Sequence, residues 1–185
     1  LKGQELINSA KVKNLATDFK NVPIYIYAYQ DKYRALPGDD KSAQSHLAVS
    51  GVTATITDGD GNGVIGGAWD ATSGESFQFW QHIRLAGIAP GTTTTTDDAY
   101  IPTNTIGGTI GVTNSSTNNP ITGLRGSYIV CSASVPGKFA KQLDIAMDDG
   151  NTAAGSMMTA ASGATAATAT ASIGDDSPYN VCMGF

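Results

Sequence analysis

Charge is scarce in this chain of 185 residues. Lys, Arg, Asp and Glu together supply 15% of it and the net charge is −5, too few cations to neutralise a run of phosphates, which argues against a nucleic-acid groove. The same acidity disfavours an anionic membrane surface. Long apolar runs are missing too. No window approaches eighteen apolar residues, so nothing within the sequence reads as a bilayer-spanning helix. Histidine occurs only at 46 and 82, and His82, near Trp80 in a helical pattern, reads as a partly exposed polar residue. Cys131 and Cys182 lack any metal or redox spacing. The segment closest to a nucleophile elbow, Gly74-Glu75-Ser76-Phe77-Gln78, has no closing glycine. Adjacent carboxylates at Asp39/Asp40, Asp97/Asp98, Asp148/Asp149 and Asp175/Asp176 point apart on regular elements and read as solvated loop pairs. The expectation is a non-enzymatic protein.

What is present begins with a long helical pattern. Apolar side chains recur at Leu6, Ala10, Val12, Leu15, Ala16, Phe19, Val22, Ile26, Tyr29 and Tyr33, mostly three or four apart. Leu15, Phe19, Val22, Ile26 and Tyr29 are the expected packing residues. Lys11, Lys13, Asn14, Asp18, Lys20 and Asn21 form the opposite, solvated face. Pro23 lacks a backbone N–H and its ring crowds the preceding turn, so a kink or interruption is expected there. The pattern is already under way at Leu1-Lys2-Gly3-Gln4, without a cap residue, which reads as the continuation of something longer.

Beyond it, Pro37-Gly38-Asp39-Asp40 signals a turn. Residues 40–49 read as a short helical turn and 56–67 as a glycine-rich loop. A second helix is expected from Gly74 to Ala86, with Gly87 ending it. Strands are expected over 108–112, 127–132 and 179–183, and a short helix over 139–147. The threonine run 92–96, the tract 113–119 and the stretch 153–172 are small and polar and read as surface loops. Alanine content leaves helix open for 153–171. The layout is α+β in one domain, with the first helix laid across an antiparallel sheet and large loops between elements.

Four segments carry a resemblance. Tyr33-x-x-Leu36-Pro37-Gly38-Asp39, Gly59-Asp60-Gly61-Asn62-Gly63, Phe79-Trp80-Gln81-His82-Ile83-Arg84-Leu85-Ala86-Gly87-Ile88, and Leu143-Asp144-x3-Asp148-Asp149-Gly150-Asn151 with Gly155 occur in that order. Together they resemble the soluble part of a type IV pilin or type II secretion pseudopilin. The resemblance implies a pilin-like fold, with residues 1–36 as the end of a spine helix and 37–185 as the globular head. It implies an apolar membrane half-helix ahead of Leu1, and neighbouring pilin subunits and an assembly apparatus as partners. The place would be an extracellular filament or the periplasmic side of the inner membrane. The alternative is a secreted adhesin that binds glycan or protein through its Thr/Ser/Asn loops, for which exposed rings would be the mark; those loops hold only Tyr100 and Tyr179.

Two further sites follow from residue types. Asp58, Asp60 and Asn62 at alternate positions, Gly63 at the sixth and the Val64 carbonyl at the seventh match the first half of a calcium loop. Trp69 stands where the bidentate Glu should be, leaving Asp70 or Glu75 to complete the shell. A glycine-rich turn whose Asp and Asn bond their own backbone remains the other reading. Cys131 and Cys182 are expected to bridge, because the second lies in a terminal segment that would otherwise fray, although two buried thiols remain open. A bridge fits an extracytoplasmic compartment, and the resemblance implies that it bounds a variable surface loop.

Overall fold

A computed structural model describes residues 1–48, 54–114, 116 and 118–185. Val49, the last residue of the expected helical turn, and Ser115 and Thr117, inside the 113–119 tract, lie outside the described residues. The fold is α+β: a long N-terminal helix and three shorter ones around a four-stranded antiparallel sheet. In chain order these are α1 (Lys2–Tyr33), α2 (Ala43–His46), α3 (Glu75–Leu85), β1 (Ile110–Thr113), β2 (Ile129–Pro136), α4 (Gly137–Met147), β3 (Met157–Ala161) and β4 (Pro178–Gly184). None of the described helices is long and apolar enough to cross a membrane.

Helix α1 runs unbroken through Pro23, so the expected interruption does not occur. A single proline removes one hydrogen bond, and the buried stripe on both sides of it holds the helix together. Leu15, Phe19, Ile26 and Tyr29 are fully buried and Val22 nearly so, packed against α4, α3 and β2. The stripe ends earlier at its N-terminal side than the periodicity suggests. Leu6 is 72% exposed, and Val12 is the first buried residue of the helix. Residues 2–11, about 15 Å of helix at 1.5 Å per residue, therefore extend past the head. The helix stops at Arg34, which takes a left-handed conformation (φ 57°) while its N–H closes onto the Gln30 carbonyl at 2.8 Å.

The sheet has the order β1-β2-β4-β3, every neighbour antiparallel. Both of its faces are covered, which explains why its strands are apolar nearly throughout. Val112, Val130, Val181 and Met157 face the main core under α1 and α4. Ile129, Cys131, Cys182, Met158 and Ala160 face a second cluster closed by Ile121 and Leu124. This is the period-two alternation of a strand, applied to two apolar layers. β2 carries an irregularity between Ser132 and Val135, where Ser134 takes φ 58°.

Cys131 and Cys182 are disulfide-bonded across directly paired positions of β2 and β4. The segment between them is no single variable loop: it contains α4 and β3. The stretch 153–172, read as loop or helix, contributes β3 and a 3₁₀ turn at Thr170–Ser172. Ala and Met give β3 little intrinsic strand preference; pairing with β4 and burial of Met157, Met158 and Ala160 supply it. Tyr100 and Tyr179, the rings expected on loops, are both buried.

The Phe19 ring lies wholly in the core. Phe19→Ala is expected to lower unfolding free energy by about 3–5 kcal/mol in urea denaturation. A loss under about 1 kcal/mol would contradict the packing described here.

Candidate functional site

The turn after α1 is assembled from polar groups that the sequence suggested were solvated. Asp39 and Asp40 are buried, at 4% and 1% exposure, and each oxygen they carry accepts a hydrogen bond. Asp39 accepts the N–H groups of Asn62 (3.0 Å) and Gly63 (2.8 Å), so it is the post around which the glycine-rich loop winds. Its backbone carbonyl takes the Gly61 N–H, and that of Asp40 takes Gly59. Asp40 accepts the Tyr29 hydroxyl at 2.7 Å and the Ser42 N–H at 2.9 Å, with His46 Nδ1 also at 2.7 Å. Burial pushes the Asp40 carboxyl up, but His46, the Ser42 amide and Tyr29 outweigh it and leave it below the usual carboxylate range.

His82 belongs to the same junction. It is fully buried, a correction to the partly exposed residue read from the sequence. Its Nδ1 accepts the Gly38 N–H at 2.9 Å, which forces the proton onto Nε2, facing the Thr57 carbonyl at 3.1 Å. Burial pushes its pKa down, against the Thr57 carbonyl and the charges of Asp40 and Asp58. A neutral imidazole that bridges two backbone segments is structural in this geometry. Sequence patterning could not expose this, because both partners lie outside the helix that carries His82.

The expected calcium loop is rearranged around this turn. Asp58 Oδ1 caps the Gln44 N–H at 2.8 Å, on α2 rather than within its own loop. Asp60 accepts both the backbone N–H and the side-chain amide of Asn62, and Asn62 Oδ1 accepts the Val64 N–H. Those are the self-bonding turns of the alternative reading. Among the described carboxylates, Asp60 is grouped with Asp39 and Glu75, one oxygen from each lying within 4.8 Å of the others; Asp58 and Asp70 are not in that group. Glu75, at the start of α3, accepts N–H groups from Asp60 and Gly66. If a hard cation enters here, its carboxylate ligands are Asp39, Asp60 and Glu75. Asp39 is pushed up by burial, then by the Glu75 and Asp60 carboxylates, with the Gly63 and Asn62 amides opposing.

A second acidic group stands at the C-terminal end of α4, where Asp144, Asp148 and Asp149 bring one oxygen each within 4.8 Å. Asp148 is half-buried and Asp149 exposed, but Asp144 is fully buried. Burial first, then the neighbouring Asp148 and Asp149, push Asp144 up to about 6 against the amides of Gly150 and Asn151. Elsewhere, the threonine run is tied down by α3: Gln81 donates to the Thr93 carbonyl, and Arg84 to those of Thr92 and Tyr100. His82 and the buried acids of the first junction are thus engaged in holding backbone, while His46 pairs with the Asp40 carboxylate.

Glycine is required where loop meets turn. A Cβ on Gly59 would lie 2.4 Å from the Asp39 backbone, whereas one on Gly3 would meet nothing within 4 Å. Gly59→Ala is expected to reduce stability by about 1–3 kcal/mol, while Gly3→Ala should not reduce it; equal effects in thermal melts would contradict the close approach. His82 should retain its Nε2–H tautomer at pH 6 in ¹⁵N NMR, where an unperturbed imidazole with pKa about 6.5 is mostly protonated. The sign follows from a depressed folded pKa: below about 6.5 the unfolded state takes up this proton more readily than the folded one, so the contribution to stability is full above that pH and falls below it. An imidazolium spectrum at pH 6 would overturn the assignment.

Compared with known proteins, the chain matches no family model, no curated protein and no solved structure.

Proposed function

We propose that this chain is a structural subunit, major or minor, of a type IV pilus or related pseudopilus, acting by assembly rather than catalysis outside the inner membrane. The observation that carries the reading is the uncovered end of α1. Ten helical residues, 2–11, have no buried member, and Leu6 and Ile7 stand exposed on them. An isolated helix of this length is marginal in water, because nucleation is costly and few hydrogen bonds follow. Packing against neighbouring subunits would give it a cover, and Ile24 and Tyr27 extend the exposed apolar surface along the same helix.

The resemblance motifs add support of a second kind. Tyr33 to Asp39 and Gly59 to Gly63, separated by about twenty residues, meet through Asp39, and α3 joins them through Glu75 and His82. Three of the four segments thus belong to one junction. The adhesin alternative would draw support from exposed rings on the loops, and the two candidates are buried.

Leu6→Cys and Ile24→Cys, each expressed in the source organism and treated with a bis-maleimide, test the assembly reading. Each variant presents one free thiol per subunit, the native pair being bridged, so a cross-linked dimer is expected in the sheared cell-surface fraction. Monomer alone at every cross-linker concentration would sink it.

A further inference from the structure

The end of α4 leaves a charge problem that the protein solves only in part with its own groups. Asp144 is 0% exposed, and among the described residues neither of its carboxylate oxygens has a hydrogen-bond partner of ordinary geometry; the Gly150 and Asn151 amides come near enough to offset only part of its charge. A buried carboxylate without partners is among the more costly arrangements a fold can contain. Two further carboxylates aggravate it, since Asp148 and Asp149 bring oxygens within 4.8 Å. The site also sits at the negative end of a helix, where a Lys, Arg or His would ordinarily help, and the last turn of α4 has none. The helix does carry Lys138 and Lys141, but they pair with Asp176 and Asp175 at its other end.

We infer that Asp144, Asp148 and Asp149 form a binding site for a hard divalent cation, calcium, which closes the connection between α4 and β3. All the ligand atoms are carboxylate oxygens, the chemistry that suits calcium rather than a transition metal. Neither Asp144 oxygen is held by a hydrogen bond of ordinary geometry. Asp148 Oδ2 accepts the Met157 N–H and Asp149 Oδ1 accepts the Asn151 N–H, leaving Asp148 Oδ1 and Asp149 Oδ2 without a hydrogen bond among the described residues. Four carboxylate oxygens are thus left, and calcium takes six to eight, so water or main-chain carbonyls complete the shell. The loop is shaped to keep Asp148 in place. A Cβ on Gly155 would lie 2.2 Å from its Oδ2, so only glycine lets the returning strand pass so close.

The contrast with Asp39, Asp60 and Glu75 sharpens the assignment. There every carboxylate oxygen already accepts an N–H from the backbone or from Asn62, so that group is balanced without an ion. At Asp144 the Gly150 and Asn151 amides answer the charge only in part, and a cation supplies the rest.

Calorimetric titration of the full chain, disulfide intact, with calcium chloride tests the site. One binding event is expected with Kd of about 10⁻⁴–10⁻³ M, and a melting temperature about 3–6 °C higher at tenfold excess over Kd. Asp144→Asn and Asp149→Asn should each weaken binding at least about tenfold, as loss of one charged ligand from a weak site implies. Asp144→Asn should also melt no lower than the wild type without calcium, because it removes an unpaired buried charge. Asp60→Ala should bind as the wild type does. No heat and no melting shift up to about 10 mM calcium, tenfold above the weak end of that range, would overturn the proposal. So would binding that survives Asp144→Asn and Asp149→Asn but is lost in Asp60→Ala. If Asp144→Asn fails to fold, Asp149→Asn, at an exposed position, decides.

Discussion

The corner where the chain leaves α1 depends on two buried carboxylates, Asp39 and Asp40, whose charge is answered almost wholly by hydrogen-bond donors. Asp40 is tied to the helix through Tyr29 and to α2 through His46 and Ser42. Asp39 holds the amides of Asn62 and Gly63, more than twenty residues on. Ionised groups in such positions are tolerable only when each oxygen is satisfied. That requirement dictates the rest of the junction. The loop must turn its N–H groups inward, glycine must stand where backbones nearly touch, and His82 must be neutral to accept from Gly38.

The remainder of the head is organised by a sheet buried on both faces. The larger layer sits between the sheet and the helices α1 and α4, and the smaller one contains the disulfide. Because Cys131 and Cys182 already face each other in register, the bridge reinforces a pairing that strand hydrogen bonds also make. Closing a loop of about fifty residues is worth about 4 kcal/mol on the chain-entropy account. It fastens the C-terminal strand to the middle of the sheet.

Two acidic groups of similar composition end up in different electrostatic states. Around Asp39 the backbone wraps the carboxylates; at the end of α4 the Gly150 and Asn151 amides only approach Asp144, and neither of its oxygens is held by a hydrogen bond of ordinary geometry. Both are loops rich in Asp, Asn and Gly, and composition alone cannot separate them. What separates them is whether N–H groups converge. This is a property of how distant segments dock, and it is why the proposed cation site lies away from the loop whose spacing looked like one.

Local patterning determined the elements whose neighbours in sequence are also neighbours in space. The stripe from Leu15 to Tyr29, the aromatic face of α3, the β-branched run of β2 and the Gly59 to Gly63 turns were all legible, because periodicity, branching at Cβ and positive φ are properties of a few consecutive residues. Tertiary structure alone decided the rest. β3 exists because Met157 to Ala161 pairs with β4, although Ala has little strand preference of its own. Leu6 fits the stripe of α1 and is exposed, because the head does not reach it. His82 and Asp39 are buried for the sake of amides far along the chain. Asp58 leaves the predicted calcium loop for α2, and Glu75 enters the acidic group. In each case the decisive partner lies at long range, and no window of sequence contains both halves of such a contact.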